Sequence, residues 1–500
     1  MTLFGKGVGR VCAVAAASTA VAMSRQVREA SQIARTIELR LDWLQSDAER
    51  ARLVRWLKKH RPANVTFLAT CRRKEGGGKF AGDIARQLLW LSQAGEAGCQ
   101  WCDVEMETFR ELPEGFLRSY PVPSRIMLSI HDFERTPSLP HDIVVARHGQ
   151  VDAVKIAAHA KTIADSVRML KLAHHSRNFV AVPMGDVGLP ARLLALREGS
   201  ELAYAPIAEA TAPGQVSLKE TLHLYRPHLL NRKTRVYGVI GDPVGHSLSP
   251  LLHNTGFTKR RINAVCLPFL VHQLGDFLKA IPEFGIRGFS VTIPHKQTIL
   301  KHLKECEPLA AEIGAANTVV VRRDGSLYGC NTDYVGVMRA LENKLRITGS
   351  RVLIFGAGGS ARAAAFALAR AGAQVGICAR RESAAKQLAR AIGGEDIPRR
   401  ALRTESFDAI LNATPVGMHP HEGISPLAAR ELQCRIVMDL IYRPERTRLL
   451  EIAAQKGIAT VSGVSMFLAQ GFAQWEIWTG KSAPEAAMRR AVFSALRWRE

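Results

Sequence analysis

A lysine inside a strand-like run is the first residue of this chain whose type and setting could do chemistry. VDAVKIAAHA (151–160) places Lys155 among Val, Ala and Ile. Such surroundings disfavour an ammonium and can leave a neutral amine able to attack a carbonyl as a Schiff-base nucleophile. His131, in SIHDF, ends the strand-like run just before it. An imidazole beside an iminium can remove the proton alpha to it and protonate a leaving hydroxyl. Glu38 and Arg40 in TIELR, Arg72 in ATCR, and Asp103 and Glu105 in WCDVEM close three further runs of the same kind. With Arg192, these groups would line a polar mouth suited to a carboxylated, polyhydroxylated small molecule.

A second constellation lies downstream. GAGGSA (Gly356, Ala357, Gly358, Gly359, Ser360, Ala361) follows the apolar run VLIF and opens an alanine-rich helical stretch. That setting turns a weak G-x-G-x-x-A match into a credible dinucleotide turn, with the pyrophosphate expected at the helix N-terminus. At the end of the next strand, GICARR carries Arg380 and Arg381 where an acidic residue would grip the ribose of NAD. Guanidinium groups suit a 2′-phosphate, so NADP is the expected cofactor. Upstream, GHSLSP offers Ser247 and Ser249 on one turn, followed by SVTIPHK (Thr292, Lys296), GAANT (Asn317) and NTD (Asp333).

The elements needed to position these residues can be read from the same sequence. Eight β-type runs with helix-like stretches between them span about residues 10–208: RVCAVAAA, TIELRLDWL, NVTFLATCR, WCDVEM, RIMLSIHDF, DAVKIAA, FVAVPMG and LAYAPI. Eight strands alternating with helices predict a (β/α)8 barrel, whose chemistry gathers at the C-terminal strand ends. A proline-containing basic segment, about 226–235, reads as a linker. From VYGVIGDPVG onward the chain returns to an α/β pattern, with the last helical stretches, from about 463, expected to fold back on 236–335.

Five hundred residues exceed one compact core. The 68 Lys and Arg against 45 Asp and Glu give a formal charge of +23. These cations are scattered through both halves without a basic tail or an aromatic-laced stripe, so anionic small molecules are expected as partners rather than nucleic acid. Nine cysteines, an odd number, point to reduced thiols and a cytoplasmic setting. Cys99 and Cys102 form a C-x-x-C with no second ligand pair at a matching spacing, so no metal is expected. The run VCAVAAASTAVA imitates a secretory signal but reads as the first barrel strand. No apolar stretch is long enough to span a bilayer.

Taken in order, ELRLD, TCRRKEGG, SIHDF, DAVKIA and TAPGQ closely resemble type I 3-dehydroquinate dehydratase, across about residues 9–230. The resemblance implies that Lys155 forms the imine, that His131 is the general acid/base, and that Glu75 orients His131. Glu38, Arg40, Arg72, Arg192, Thr211 and Gln215 would hold the substrate's hydroxyls and carboxylate. GHSLSP, SVTIPHK, GAANT, NTD, NATPVGM and SGVSMFLAQ, over about 236–500, resemble shikimate dehydrogenase. There the resemblance implies that Ser247 and Ser249 bind the carboxylate with Tyr442 nearby, that Thr292, Asn317 and Gln470 contact ring hydroxyls, and that Lys296 and Asp333 form the catalytic pair. Gln474, one helical turn past Gln470, would face the same pocket; Asn412, Thr414 and Gly463 fall on the cofactor side. The implied organisation is a dehydratase barrel (9–230), a shikimate-binding part (236–335, completed by 463–500) and a Rossmann-like NADP part (336–462). Dehydration and NADPH-dependent reduction would then follow one another without a metal. Quinate dehydrogenation in the second half, or a non-catalytic quinate sensor, are the alternatives; oligomeric state is not legible.

Overall fold

In the computed structural model, residues 3–113, 116, 124–137, 151–208, 215–418 and 421–497 are described. The chain divides into two compact units, Met1–Arg235 with Leu267–Gly285, and Val236–Cys266 with Ile286–Glu500.

The first unit is built on eight parallel strands: β1 (Val11–Ala15), β2 (Thr36–Arg40), β3 (Thr66–Thr70), β4 (Trp101–Glu105), β5 (Arg125–Asp132), β6 (Ala153–His159), β7 (Phe179–Met184) and β8 (Ala203–Pro206). Their order, β7-β6-β5-β4-β3-β2-β1-β8, runs consecutively and brings β8 round to β1. This is the nearly closed barrel that the eight sequence runs predict. The residue-by-residue alternation of a strand decides which side chains enter it. Cys12, Val14, Leu68, Trp101, Met127, Ala153, Ala157, Val180 and Val182 share one interior cluster. Leu128, Val154, Ile156 and Ala158 pack outward with helix residues such as Met169 and Leu172. Lys155 lies between Ala153 and Ala157 on β6, so the same alternation turns it inward. RVCAVAAA ends as a strand at Ala15 because the backbone N–H and C=O of Ala16 are taken by the Gln26 carboxamide, at 2.9 and 3.1 Å.

A six-stranded sheet has the order β10-β9-β11-β13-β14-β12 and mixes directions. Its principal strands are β9 (Arg235–Gly241), β10 (Ala264–Leu270), β11 (Ile286–Val291), β13 (Thr318–Val321) and β14 (Leu327–Cys330), beside the short β12 (Glu305–Cys306). Here β11 runs parallel to β9 but antiparallel to β13. The other sheet comprises β15 (Arg351–Phe355), β16 (Gln374–Cys378), β17 (Glu395–Asp396), β18 (Phe407–Asn412), β19 (Cys434–Asp439) and β20 (Ala459–Val461). It is parallel throughout, in the order β17-β16-β15-β18-β19-β20. That order reverses between β15 and β18, and such a switch point is where doubly wound sheets open a ligand crevice. The C-terminal helices Gly463–Thr479 and Glu485–Arg497 bury Phe472, Trp475, Met488 and Val492 against Leu252 and Phe257 of the helix Ser249–Lys259. Among the described residues no helix is long and apolar enough to cross a membrane.

Candidate active sites

At the C-terminal mouth of the barrel, Glu38, Arg40, Arg72, His131, Lys155 and Gln215 line a single cavity of about 190 Å³. Lys155 is only 3 % exposed, the dry setting that the expected neutral amine requires. It is not unpaired, however. Its Nζ contacts the Asp103 carboxylate directly and stands 3.9 Å from Glu38 Oε1. Asp103 in turn accepts from Ser129 Oγ at 2.5 Å, and Glu38 from Thr70 Oγ1 at 2.7 Å. Burial opposes the charge of Asp103, but Lys155 and Arg72 outweigh it and hold the carboxyl below its ordinary range. His131 is pushed the other way. Burial, then the cations Arg72, Lys155 and Arg40, hold its imidazole well below the usual histidine range, so it is neutral at neutral pH. Its buried Nδ1 has no hydrogen-bond partner among the described residues.

The guanidiniums are fixed by local contacts. Arg40 forks onto Asp42 at 2.9 and 2.8 Å, which more than offsets the burial that disfavours its charge. Arg72 projects from a turn clamped at the end of β4. Glu105 Oε1 accepts from the Arg73 N–H at 2.7 Å, its carboxylate also takes the Gln87 amide, and Gln87 Nε2 donates to the Cys71 carbonyl at 3.0 Å. Burial, helped by the nearby Asp103, pushes the Glu105 carboxyl up to about 7.

Two expectations do not meet the cavity. Glu75 does not orient His131: its side chain is 66 % exposed on the turn after Arg72, with Arg73 at 4.0 Å. A carboxylate so placed is stabilised by water and the neighbouring guanidinium rather than by an imidazole. Arg192, buried on the helix Leu189–Glu198, donates from Nε to the Pro183 carbonyl at 2.9 Å and is not among the cavity-lining residues. Burial pushes its guanidinium down to about 10. Thr211 lies outside the described residues. Conversely, the cavity is completed by Trp43, Lys79, Phe133, Met184 and Tyr204, which the strand-end pattern left out. Only Tyr204 and Met184 carried a signal, as inward positions of β8 and β7. Cys99 and Cys102 are buried free thiols, and burial pushes Cys102 up to about 12. No group of three or more His, Cys, Asp or Glu fit to hold a metal occurs among the described residues.

The second unit holds a cavity of about 440 Å³ lined by Ser247, Ser249, Thr292, Lys296, Asn317, Asp333, Ser360, Thr414, Tyr442, Gln470 and Gln474. Lys296 Nζ lies 2.5 Å from Asp333 Oδ2 and 2.9 Å from Ser360 Oγ. Asn317 Nδ2 holds the other oxygen of Asp333 at 2.7 Å and Gln470 Oε1 at 3.3 Å. Tyr442 is hydrogen-bonded to Ser247, while burial pushes its phenol up. Gln474 behaves differently from its neighbours. Its Oε1 accepts from Ser290 at 2.5 Å and from His253 at 3.0 Å, and its Nε2 donates to Thr318 at 2.9 Å and the Asn317 carbonyl at 3.2 Å. Two acceptor and two donor positions exhaust a carboxamide. It therefore fastens the cavity wall.

The Gly-rich turn has the shape a dinucleotide needs. Gly356 has a φ of +128°, and a Cβ there would come within 3.0 Å of the Ala413 carbonyl. A Cβ on Gly358 would meet nothing within 4 Å, whereas one on Gly359 would come within 3.0 Å of the Lys296 Cβ. The helix Gly359–Arg370 begins here with Ala361 buried, and Ala357 sits half-buried in the turn. Arg380 and Arg381 are exposed just beyond β16, the neighbouring strand. Ser360 faces Lys296, and Asn412 is buried, accepting from Thr414 Oγ1 at 2.7 Å and donating to Asp439 at 3.0 Å. Gly463 abuts the Ile441 carbonyl, 2.4 Å from where a Cβ would stand. These contacts fix the rim of the crevice, where Ser360 and Thr414 line the cavity.

Both halves of the chain are similar to known proteins. Residues 11–230 match the family of type I 3-dehydroquinase, 239–319 the shikimate dehydrogenase substrate binding domain, and 463–493 the shikimate 5'-dehydrogenase C-terminal domain. A chloroplastic bifunctional 3-dehydroquinate dehydratase/shikimate dehydrogenase of Arabidopsis thaliana is 35% identical over 506 residues, covering 96% of this chain and 83% of that protein. A shikimate dehydrogenase (NADP(+)) of Bacillus mycoides is 43% identical over 49% of this chain and 93% of its own. A crystal structure of shikimate dehydrogenase in complex with NADP+ superposes with a TM-score of 0.50 at 36% identity, covering 54% of this chain and 98% of that one. Spanned nearly end to end by such a relative, the chain belongs to the family of bifunctional 3-dehydroquinate dehydratase/shikimate dehydrogenases.

Proposed function

We propose that this chain dehydrates 3-dehydroquinate to 3-dehydroshikimate in the barrel and reduces that product to shikimate in the second unit with NADPH. The observation that carries the reading is a buried lysine and a neutral imidazole lining one small polar cavity.

In the barrel, the Lys155 ammonium passes a proton to His131 and the amine adds to the substrate ketone. His131 returns the proton to the carbinolamine hydroxyl, which leaves as water. The imidazole, neutral again, takes the proton from the carbon beside the iminium and hands it to the departing hydroxyl. Hydrolysis of the imine then releases product. Arg40, Arg72, Glu38 and Gln215 hold the substrate's hydroxyls and carboxylate.

In the second unit, the open space at Gly358, the left-handed Gly356 and the two exposed arginines fit a dinucleotide carrying a 2′-phosphate. When bound, NADPH supplies the hydride. Ser247, Ser249 and Tyr442 bind the substrate carboxylate, and Thr292, Asn317 and Gln470 its hydroxyls. Lys296, held by Asp333, gives a proton to the carbonyl oxygen as negative charge develops there. The substrate is held by 236–335 with 463–500, and the cofactor by 336–462.

A coupled assay tests the whole reading: 3-dehydroquinate with NADPH should yield shikimate. Failure of either half-reaction with its own substrate would remove that half of the proposal.

A further inference from the structure

The Schiff-base reading names the nucleophile and the imidazole but gives no part to the carboxylate that touches the nucleophile. Asp103 contacts Lys155 Nζ, its side chain is 0 % exposed, and its second oxygen is occupied by Ser129. Glu38, the other nearby carboxylate, stands 3.9 Å away and is engaged by Thr70. A buried ion pair is weak evidence for stability, since desolvation cancels much of its attraction. Two fully dry charges at the bottom of a reactive cavity therefore call for a chemical reason.

We infer that Asp103 is a further catalytic residue of the barrel, the standing counter-ion of the nitrogen that becomes the imine. The inference rests on the Schiff-base reading. When the Lys155 amine adds to the ketone, a C–N bond forms, the carbonyl oxygen departs as water, and the nitrogen keeps one hydrogen and a positive charge. The charge facing Asp103 is thus the same in the ammonium and in the iminium, and a preorganised carboxylate stabilises it without moving. Only the protonated imine withdraws electrons strongly enough to acidify the neighbouring C–H. By holding the imine in that form, Asp103 makes the proton abstraction by His131 possible. The other groups facing the pair leave this role open to it. Cys12 on β1 and Tyr204 on β8 are kept protonated, burial being the first cause in each, and His131 on β5 is neutral. Arg72, on the turn after β3, and Arg40, at the end of β2, carry the same sign as the imine. Glu105, on β4 with Asp103, titrates near 7, so a change confined to higher pH does not belong to it.

The test compares the wild-type chain with Asp103→Asn, Asp103→Glu and Ser129→Ala. Borohydride is added with 3-dehydroquinate, the mass of the Lys155 peptide is measured, and dehydratase kcat is followed against pH. A circular dichroism spectrum and a barrel melting transition like those of the wild type confirm folding. Asp103→Asn should lower kcat by about 10²–10³-fold, reduce the trapped fraction, and move the alkaline limb of kcat to lower pH. Asp103→Glu should restore part of the trapping. Ser129→Ala, which keeps the charge but loosens it, should shift the same limb less, and it decides the matter if Asp103→Asn does not fold. Unchanged trapping and an unchanged alkaline limb in the folded variants would overturn the inference. Absence of any trapped Lys155 in the wild type would instead overturn the Schiff-base reading beneath it.

Discussion

Lys296 can approach the Gly-rich turn because residue 359 has no side chain. A Cβ there would lie 3.0 Å from the lysine's Cβ and 3.2 Å from its Cδ. Gly359→Ala should therefore push Lys296 away from Asp333. The lysine must give way by a few tenths of an ångström, and since misplacement by about 1 Å can cost about 10²-fold, dehydrogenase kcat should fall severalfold while dehydratase kcat is unchanged. Steady-state rates of both half-reactions check this. The arginine pair after β16 bears on cofactor choice. A hydrogen bond to a charged group is worth roughly 1.5–3 kcal/mol, so Arg380→Ala should raise the KM for NADPH by about ten- to a hundredfold and leave that for NADH nearly unchanged. Equal rises for both cofactors would remove Arg380 from the specificity role.

Between elements, two fastenings decide where site residues stand. The first is Glu105, which ties the end of β4 to the turn after β3 and to Gln87. Its carboxyl is pushed from 4.5 up to about 7, chiefly by burial. A raised folded-state value means that the native chain holds a proton the unfolded chain has released. The stabilisation is therefore complete below the unfolded value and lost as pH rises through about 7. Glu105→Gln keeps the acceptor and removes the titration. The difference in Tm between variant and wild type should grow in the variant's favour from pH 5 to 8; a constant difference would refute the assignment. The second fastening is Gln474, whose carboxamide joins the helix Gly463–Thr479 to Ser290 of β11, Thr318 of β13 and His253. Leaving a buried polar group unpaired costs about 1–3 kcal/mol. Gln474→Ala should thus lower the thermal midpoint of the second unit as well as its activity, whereas a pure ligand contact would affect activity alone.

For the molecule, the two cavities share no lining residue, and each falls within one compact unit. Their chemistries should separate by single substitutions. Lys296→Ala removes the proposed proton donor, a contribution of about 10²–10⁴-fold, yet leaves the barrel's Lys155, His131 and Asp103 in place. Given 3-dehydroquinate and NADPH, that variant should accumulate 3-dehydroshikimate at the wild-type rate of dehydration, as chromatography of the mixture would reveal. Loss of dehydration in a variant whose circular dichroism is unchanged would contradict two independent sites.

Much of this architecture is legible in the sequence, because local repetition encodes it. Eight alternating strands announce the barrel, their C-terminal ends gather Lys155 with the other polar residues, and a strand–glycine–helix succession locates the dinucleotide turn. What strand-end bookkeeping could not weigh was the pairing of charges distant in sequence. Asp103 and Glu105 stood out only as two more polar strand ends, although one neutralises Lys155 from 52 residues away and the other clamps the turn bearing Arg72. The family resemblance implies that Glu75 orients His131, whereas the turn carries its carboxylate into water. Gln474 faced the cavity as its helical spacing implied, yet its hydrogen-bonding capacity is spent on three other elements. Periodicity is a property of neighbouring residues and survives in the linear chain. Whether a buried polar group has a partner left to offer depends on every strand and helix folded around it, and that only the tertiary structure decides.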